Sequence, residues 1–282
     1  MEVHQRFWPA FLAHEPTLEH VVSQCVTQGQ LDSPLYRHWC AELAEAPIYH
    51  RKPWEWVFII RAIQQSGCWG PGRRGLGFGV GVEPLTAVFA KHGMEVVATD
   101  QAAASAAAKG WVAGLEYGGS LERLNARGIC DPKIFQERVR FAVVDMTKIP
   151  RDLTGFDFCW SSCALEHLGT LEAGLAFVEA SLSCVKPGGV AVHTTEFNVS
   201  SHQETVTVGP TVFYRRRDLV ALARKLRRQG HRIRFNFSLG QGAADLFVDT
   251  PPYGKGPHLK LVAGDYVITS IGLIIQKSRL IR

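Results

Sequence analysis

Hydrophobic positions along the chain follow two different periods, and the change falls near residue 70. Before it the pattern is helical and rich in tryptophan. Asp32-Ser33-Pro34 is a helix start, with Ser33 as N-cap and Pro34 at the first helical position. Leu35, Trp39, Leu43 and Ala46 then recur at helical spacing. Pro53 opens a second helix through Trp54, Trp56, Val57, Ile60 and Ile63, which Gly67 and Gly70-Pro71-Gly72 end. From about Arg73 short apolar runs alternate with helical ones, as in parallel βαβ units. The strands expected there are 76–80, 95–99, 139–144, 156–161 and 190–195. The helices between them are 84–92, 102–113 and 171–185. A basic helix over 218–229, a strand over 231–237 and a last apolar strand over 267–276 follow. Residues 238–262 hold four glycines and three prolines and read as a long loop.

This is an α/β chain of two expected parts, a helical N-terminal extension (1–70, a possible substrate lid) and an α/β domain (71–282). Its 282 residues, 46% hydrophobic and 20% charged, are enough for a sizeable core. No apolar run reaches the length of a membrane span, and Met1–Ala10 lacks the apolar stretch of a signal peptide. The seven cysteines are scattered, with no CxxC pair, which suits reduced thiols and a cytoplasmic location. The net charge of +5 is modest. Part of it lies between Arg215 and Arg234, where a solvated helix face is the plain explanation and an anionic partner the sharper one.

The candidate chemistry begins at Gly75-Leu76-Gly77-Phe78-Gly79-Val80-Gly81. A glycine-rich turn between strand and helix lets backbone N–H groups approach a ligand closely. The dinucleotide spacing GxGxxG fails in every frame, because its third position falls on Val80, Val82 or Pro84. Gly77-Phe78-Gly79-Val80-Gly81 instead fits GxGxG. Asp100 ends the second strand, 21 residues after Gly79, where a carboxylate can accept from a ribose diol. Asp145 ends the third strand, where it can accept from an adenine amino group while Met146 packs on the ring. Either aspartate alone could be a turn residue; both, in register behind the loop, point to a nucleoside.

The ordered series resembles the class I S-adenosylmethionine (SAM) dependent methyltransferases over roughly residues 73–277. The glycine run resembles the family's first motif and Val96–Asp100 its second. Phe141–Met146 resembles the adenine-contacting segment, Phe156–Ser162 the fourth-strand motif and Val185–Val190 the turn before strand five. The resemblance implies a Rossmann-like seven-stranded sheet of order 3-2-1-4-5-7-6, with strand seven antiparallel and helices on both faces. It implies SAM as cofactor, held by Gly77, Phe78, Gly79, Val80, Gly81, Asp100, Gln101, Asp145, Met146 and Ser161. One position departs from the family. Gly75 stands where an acid is usual, and Glu83 is the nearest replacement.

Methyl transfer from a sulfonium needs an aligned nucleophile and, for a hydroxyl, a proton acceptor. The nucleophile should enter beyond strands four and five. His167 is the first candidate for general base, Glu166 its orienting partner, and His193 a second imidazole after strand five. With Glu196 these make two imidazoles and two carboxylates, a set that suits a divalent metal. Some RNA and quinone-precursor methyltransferases of this fold carry Glu-x-x-Glu-His after strand four. Here Cys163 takes the first glutamate's place, so a metal is not the favoured expectation. The leading expectation is O-methylation of a polar, hydroxylated small molecule or a sugar or glycan precursor. An RNA methyltransferase and a non-catalytic binding protein are the alternatives.

Overall fold

The computed structural model describes residues 11–12, 14–103, 120–254 and 256–279. The helix expected over 102–113 therefore lies, from residue 104, outside the described residues. Three short strands form a separate small sheet: β1 (Phe11–Leu12), β2 (Ser23–Gln24) and β8 (Phe235–Asn236), in the parallel order β1-β8-β2. The main sheet has seven: β3 (Arg74–Phe78), β4 (Glu95–Asp100), β5 (Val139–Val143), β6 (Phe156–Ser162), β7 (Val185–Asn198), β9 (Lys260–Ala263) and β10 (Tyr266–Gln276). Their order is β5-β4-β3-β6-β7-β10-β9, and β10 is antiparallel to both its neighbours. Renumbered within this sheet, that is 3-2-1-4-5-7-6, the order the resemblance implies.

Two expected elements change. The stretch 231–237 meets the main sheet through a single antiparallel bridge, Arg232–Gln276, and adds no strand to it. Only Phe235–Asn236 is strand, because Ile233 and Phe235 bury into the core while β8 pairs with the N-terminal segments. The sheet edge is taken by β9, from within the expected loop, where surrounding prolines and glycines obscure a four-residue strand. The expected turn at Lys186–Gly189 is a register shift inside β7, between the pairs Phe156–Val185 and Phe158–Val190.

Helices cover both faces. Helices α1 (Gln28–Asp32) and α2 (Pro34–Glu42) precede α3 (Arg51–Gln65). Ser33 caps α2 as expected, accepting from the Tyr36 N–H at 3.1 Å. Helix α3 is apolar nearly all round, with Trp54, Trp56, Val57, Phe58, Ile59, Ile60 and Ile63 buried, which is the signature of an internal helix. It lies against β6, β7 and β10. Phe58 fills the space a side chain at Gly272 would need. The helix Leu171–Cys184 covers the other face, where Phe177 meets Phe78 with ring centroids 5.2 Å apart. No helix among the described residues is long and apolar enough to cross a membrane.

Candidate active site

At the end of β3 the chain turns through Gly79 and Gly81, whose φ angles are +57° and +52°. Side chains rarely adopt that region, so glycine is required at both. Asp100 locks the turn from the neighbouring strand. Its buried carboxylate accepts the Gly81 N–H at 3.2 Å and the Gln101 N–H at 2.8 Å. Thr99 adds a hydroxyl bond to the Gly77 carbonyl at 2.7 Å, and its own carbonyl accepts the Val80 N–H at 3.1 Å.

The other cofactor candidates divide. Gly77 lies flush against Trp160, while Phe78 and Val80 are core residues, so only the backbone of these three can meet a ligand. Met146 is beside the loop, its Sδ 3.4 Å from where a Cβ on Gly79 would stand. The Gln101 amide nitrogen is buried without a partner among the described residues. Asp145 is exposed and closes its own turn, accepting from the Thr147 N–H at 2.8 Å and the Thr147 hydroxyl at 2.7 Å. Ser161 is a correction. Its hydroxyl is fully buried and bonded to His193 Nδ1 at 2.8 Å, on the core side of the sheet.

Gly75 also has a physical reason. Phe158 occupies the space over it, so the acid usual in the family has no room. Glu83 is half-buried, with its Oε2 unpartnered among the described residues. Burial raises its pKa to about 7, with Lys52 opposing and Glu55 adding.

Beyond the ends of β6 and β7 a polar cluster is built from both sides of the sheet. Glu55 enters from α3, fully buried. Its Oε2 accepts from Lys52 Nζ at 3.1 Å, the Ser162 hydroxyl at 3.1 Å and the Thr194 hydroxyl at 3.2 Å; its Oε1 accepts from the Ser270 hydroxyl at 2.5 Å. Burial works against its ionisation, but Lys52, Arg51 and Ser270 outweigh it and hold Glu55 down to about 2. Arg51 reaches Glu196 Oε1 at 2.7 Å. Glu166 Oε2 accepts the Thr195 hydroxyl at 3.0 Å. Burial drives Glu196 up to about 7, Arg51 counteracts it, and Glu166 and Glu55 add to the rise. Cys163 Sγ, one Glu166 oxygen and one Glu196 oxygen lie within 4.8 Å of one another.

The two imidazoles do not join this cluster. His193 is fully buried between the sheet and the helix Leu171–Cys184. The Ser181 hydroxyl donates to the Val178 carbonyl at 2.8 Å, so it accepts from His193 Nε2–H at 3.1 Å. His193 Nδ1 then accepts from Ser161, which fixes a neutral ring with both nitrogens in use. Burial lowers its pKa to about 3. It cannot serve as the base, because strand alternation turns 193 and 196 to opposite faces. His167 is half-buried in a short 3₁₀ turn and donates through Nδ1 to the Pro210 carbonyl at 2.9 Å. Sequence reasoning missed Arg51, Lys52 and Glu55. Their signal was a charged residue, Glu55, set between Trp54 and Trp56 in the otherwise apolar stretch Pro53–Ile60.

The strand order of the main sheet, with β10 antiparallel, is the one that the resemblance to the class I methyltransferases implies. No protein-family model and no curated protein matches the chain. Among solved structures it is similar to a putative sarcosine dimethylglycine methyltransferase from Galdieria sulphuraria, at 11% identity over 88% of this chain and 100% of that one, with a TM-score of 0.48. It is similar to a magnesium protoporphyrin IX methyltransferase from Synechocystis, solved with bound SAH, at 12% identity over 88% and 96% and a TM-score of 0.46. It is also similar to a [4+2]-cyclase, SpnF, at 18% identity and a TM-score of 0.41; that match takes in 58% of this chain and 54% of the cyclase, about half its length. Likenesses this distant speak to the fold alone, and one fold carries many reactions.

Proposed function

We propose that the protein is a SAM-dependent methyltransferase that methylates a hydroxyl of a polar small molecule, such as a sugar or glycan precursor. The observation that carries this reading is the clamp of Asp100 on the Gly79–Gly81 turn, at the strand ends where this sheet order opens a crevice. Bound SAM supplies a methyl group on a sulfonium, ready for direct displacement. The chain's part is to position and to handle a proton. Backbone N–H groups of the loop and the Asp100 carboxylate hold the nucleoside, with Met146 against the base. Gln101 offers its unpartnered amide, and Glu83 faces the amino-acid end in place of the acid that Gly75 lacks.

Glu166 and Glu196 meet the acceptor hydroxyl, replacing the imidazoles expected from sequence. Two carboxylate oxygens there have no protein partner among the described residues, so they can receive a donor hydroxyl. An RNA acceptor would draw on the helix Arg216–Arg228. Its apolar residues Leu219, Leu222, Ala223 and Leu226 are buried, and its charged residues are largely on the solvent side, as in an ordinary surface helix.

Calorimetry with SAM and with its demethylated product tests the cofactor assignment. Both should bind, and Asp100→Ala should weaken binding by about tenfold or more, the equivalent of one lost charged hydrogen bond. Folded protein that binds neither would overturn the reading. Product analysis with hydroxylated and amine acceptors then tests the acceptor class.

A further inference from the structure

The cluster beyond β6 and β7 holds more acid than it can pair. Among the described residues, Glu55, Glu83, Glu166 and Glu196 face two cations, Arg51 and Lys52. Glu55 is satisfied by four donors and Glu196 Oε1 by Arg51. Glu166 Oε1 and Glu196 Oε2 are buried with no partner among the described residues, and Glu166 is 0% exposed. A buried carboxylate oxygen with no hydrogen-bond partner is unfavourable, so something else belongs there.

Cys163 is the second observation. Its φ is +44°, a conformation that costs a side-chain-bearing residue on the order of 1–3 kcal/mol. The backbone is pinned there by its N–H, 3.1 Å from both the Thr194 carbonyl and the Thr194 hydroxyl. This strained turn brings Sγ within 4.8 Å of the two acids.

We propose that Cys163, Glu166 and Glu196 are three ligands of a borderline divalent metal ion, of the zinc type, with a fourth position open. A tetrahedral ion with bonds of about 2.0–2.3 Å sets its ligand atoms about 3.3–3.8 Å apart, so modest side-chain rotation completes the site. One thiolate with two carboxylates disfavours magnesium and suits zinc, cobalt or ferrous iron. Arg51 and Lys52 oppose a second cation, but the acids outnumber them. This is a different ligand set from the two imidazoles and two carboxylates that the sequence offers. His193 is held in the core and His167 turns to Pro210, while the thiol that replaces the first glutamate enters. Three protein ligands and an open position are the mark of a catalytic rather than a structural site. There the ion would make the acceptor hydroxyl easier to deprotonate, which rests on the methyltransferase reading; metal binding itself does not.

The probe is Co²⁺, titrated into the full chain after dialysis against a chelator, with folding followed by circular dichroism. One equivalent should bind, with visible ligand-field bands and a near-ultraviolet sulfur-to-cobalt band. Cys163→Ser should lose the sulfur band. Cys163→Asp should keep one equivalent without it. Glu166→Gln with Glu196→Gln should weaken binding by more than about tenfold. A folded protein that takes up no cobalt, or a sulfur band that survives in Cys163→Ser, overturns the proposal. SAM calorimetry on the same samples separates the two readings. Cobalt without SAM binding removes the methyltransferase and keeps the metal; SAM without cobalt does the reverse.

Discussion

The strands β6 and β7 carry acids at both ends, and the two ends are built on opposite terms. At the start of β6, Asp157 receives the Arg74 N–H at 2.9 Å, Lys186 at 3.1 Å and Arg73 at 3.2 Å. Every oxygen is paired, and the cations are themselves half-exposed. At the far end Glu55 is equally saturated, but Glu166 and Glu196 each keep a buried oxygen with no partner among the described residues. The first end is a clasp between strand beginnings. The second is a pocket of unmet charge. Saturated polar groups hold a fold together; unsatisfied ones mark where a fold expects a ligand.

The largest effect should separate these ends by function. Glu196→Gln removes a group placed against the acceptor and should lower turnover by about 10²–10³-fold. SAM affinity should stay within a factor of about two, because Asp100 and the loop are untouched. Thermal stability should fall, because the buried Arg51 guanidinium loses the carboxylate charge that it pairs at 2.7 Å. A variant as active as the parent would remove Glu196 from the reacting site.

A second, smaller effect tests the reassignment of His193. Burial lowers its pKa to about 3 from an ordinary 6.5. Between those values the unfolded chain binds more protons than the folded one, so stability rises with pH there and is lost as pH falls. The loss should begin near pH 6.5 and reach on the order of 2 kcal/mol by pH 4.5. Urea unfolding across that range should show it, and His193→Gln should flatten it. A wild-type curve without that slope would mean the ring is not held neutral.

Legibility in the sequence follows how local each signal is. The glycine loop and Asp100 were readable because a turn and the next strand end lie at a fixed spacing. Glu166 and Glu196 were readable because they directly follow strand-forming runs. His193 was misread although period-two alternation already sets it on the opposite face from Thr194 and Glu196. Glu55 was missed for a deeper reason. Nothing in the local pattern of residues 51–65 fixes which turn of α3 lies over the ends of β6 and β7; that register is tertiary. The edge strand β9 was hidden by the turn residues around it, and the strand expected over 231–237 shrinks to β8, which pairs with the N-terminal segments instead of the main sheet.

The smallest effect lies at the saturated end. Asp157→Asn keeps the shape of the side chain but removes the charge that Arg73 and Lys186 face. Burial opposes ionisation of Asp157, yet the Arg74 N–H and Lys186 outweigh it and hold the carboxyl below its ordinary value. A lowered acid contributes stability above its ordinary pKa and loses it as pH falls through the folded value. At neutral pH the full contribution is present, but the half-exposed cations are screened by water, so the loss should be about 1 kcal/mol. It should shrink toward zero as pH falls through the lowered folded value, beneath the ordinary 3.8, and the parent's carboxyl also becomes protonated. SAM affinity and cobalt uptake should not change. If Asp157→Asn weakened either, the start of the strand pair would be coupled to its far end, and the division between a clasp and a pocket would fail.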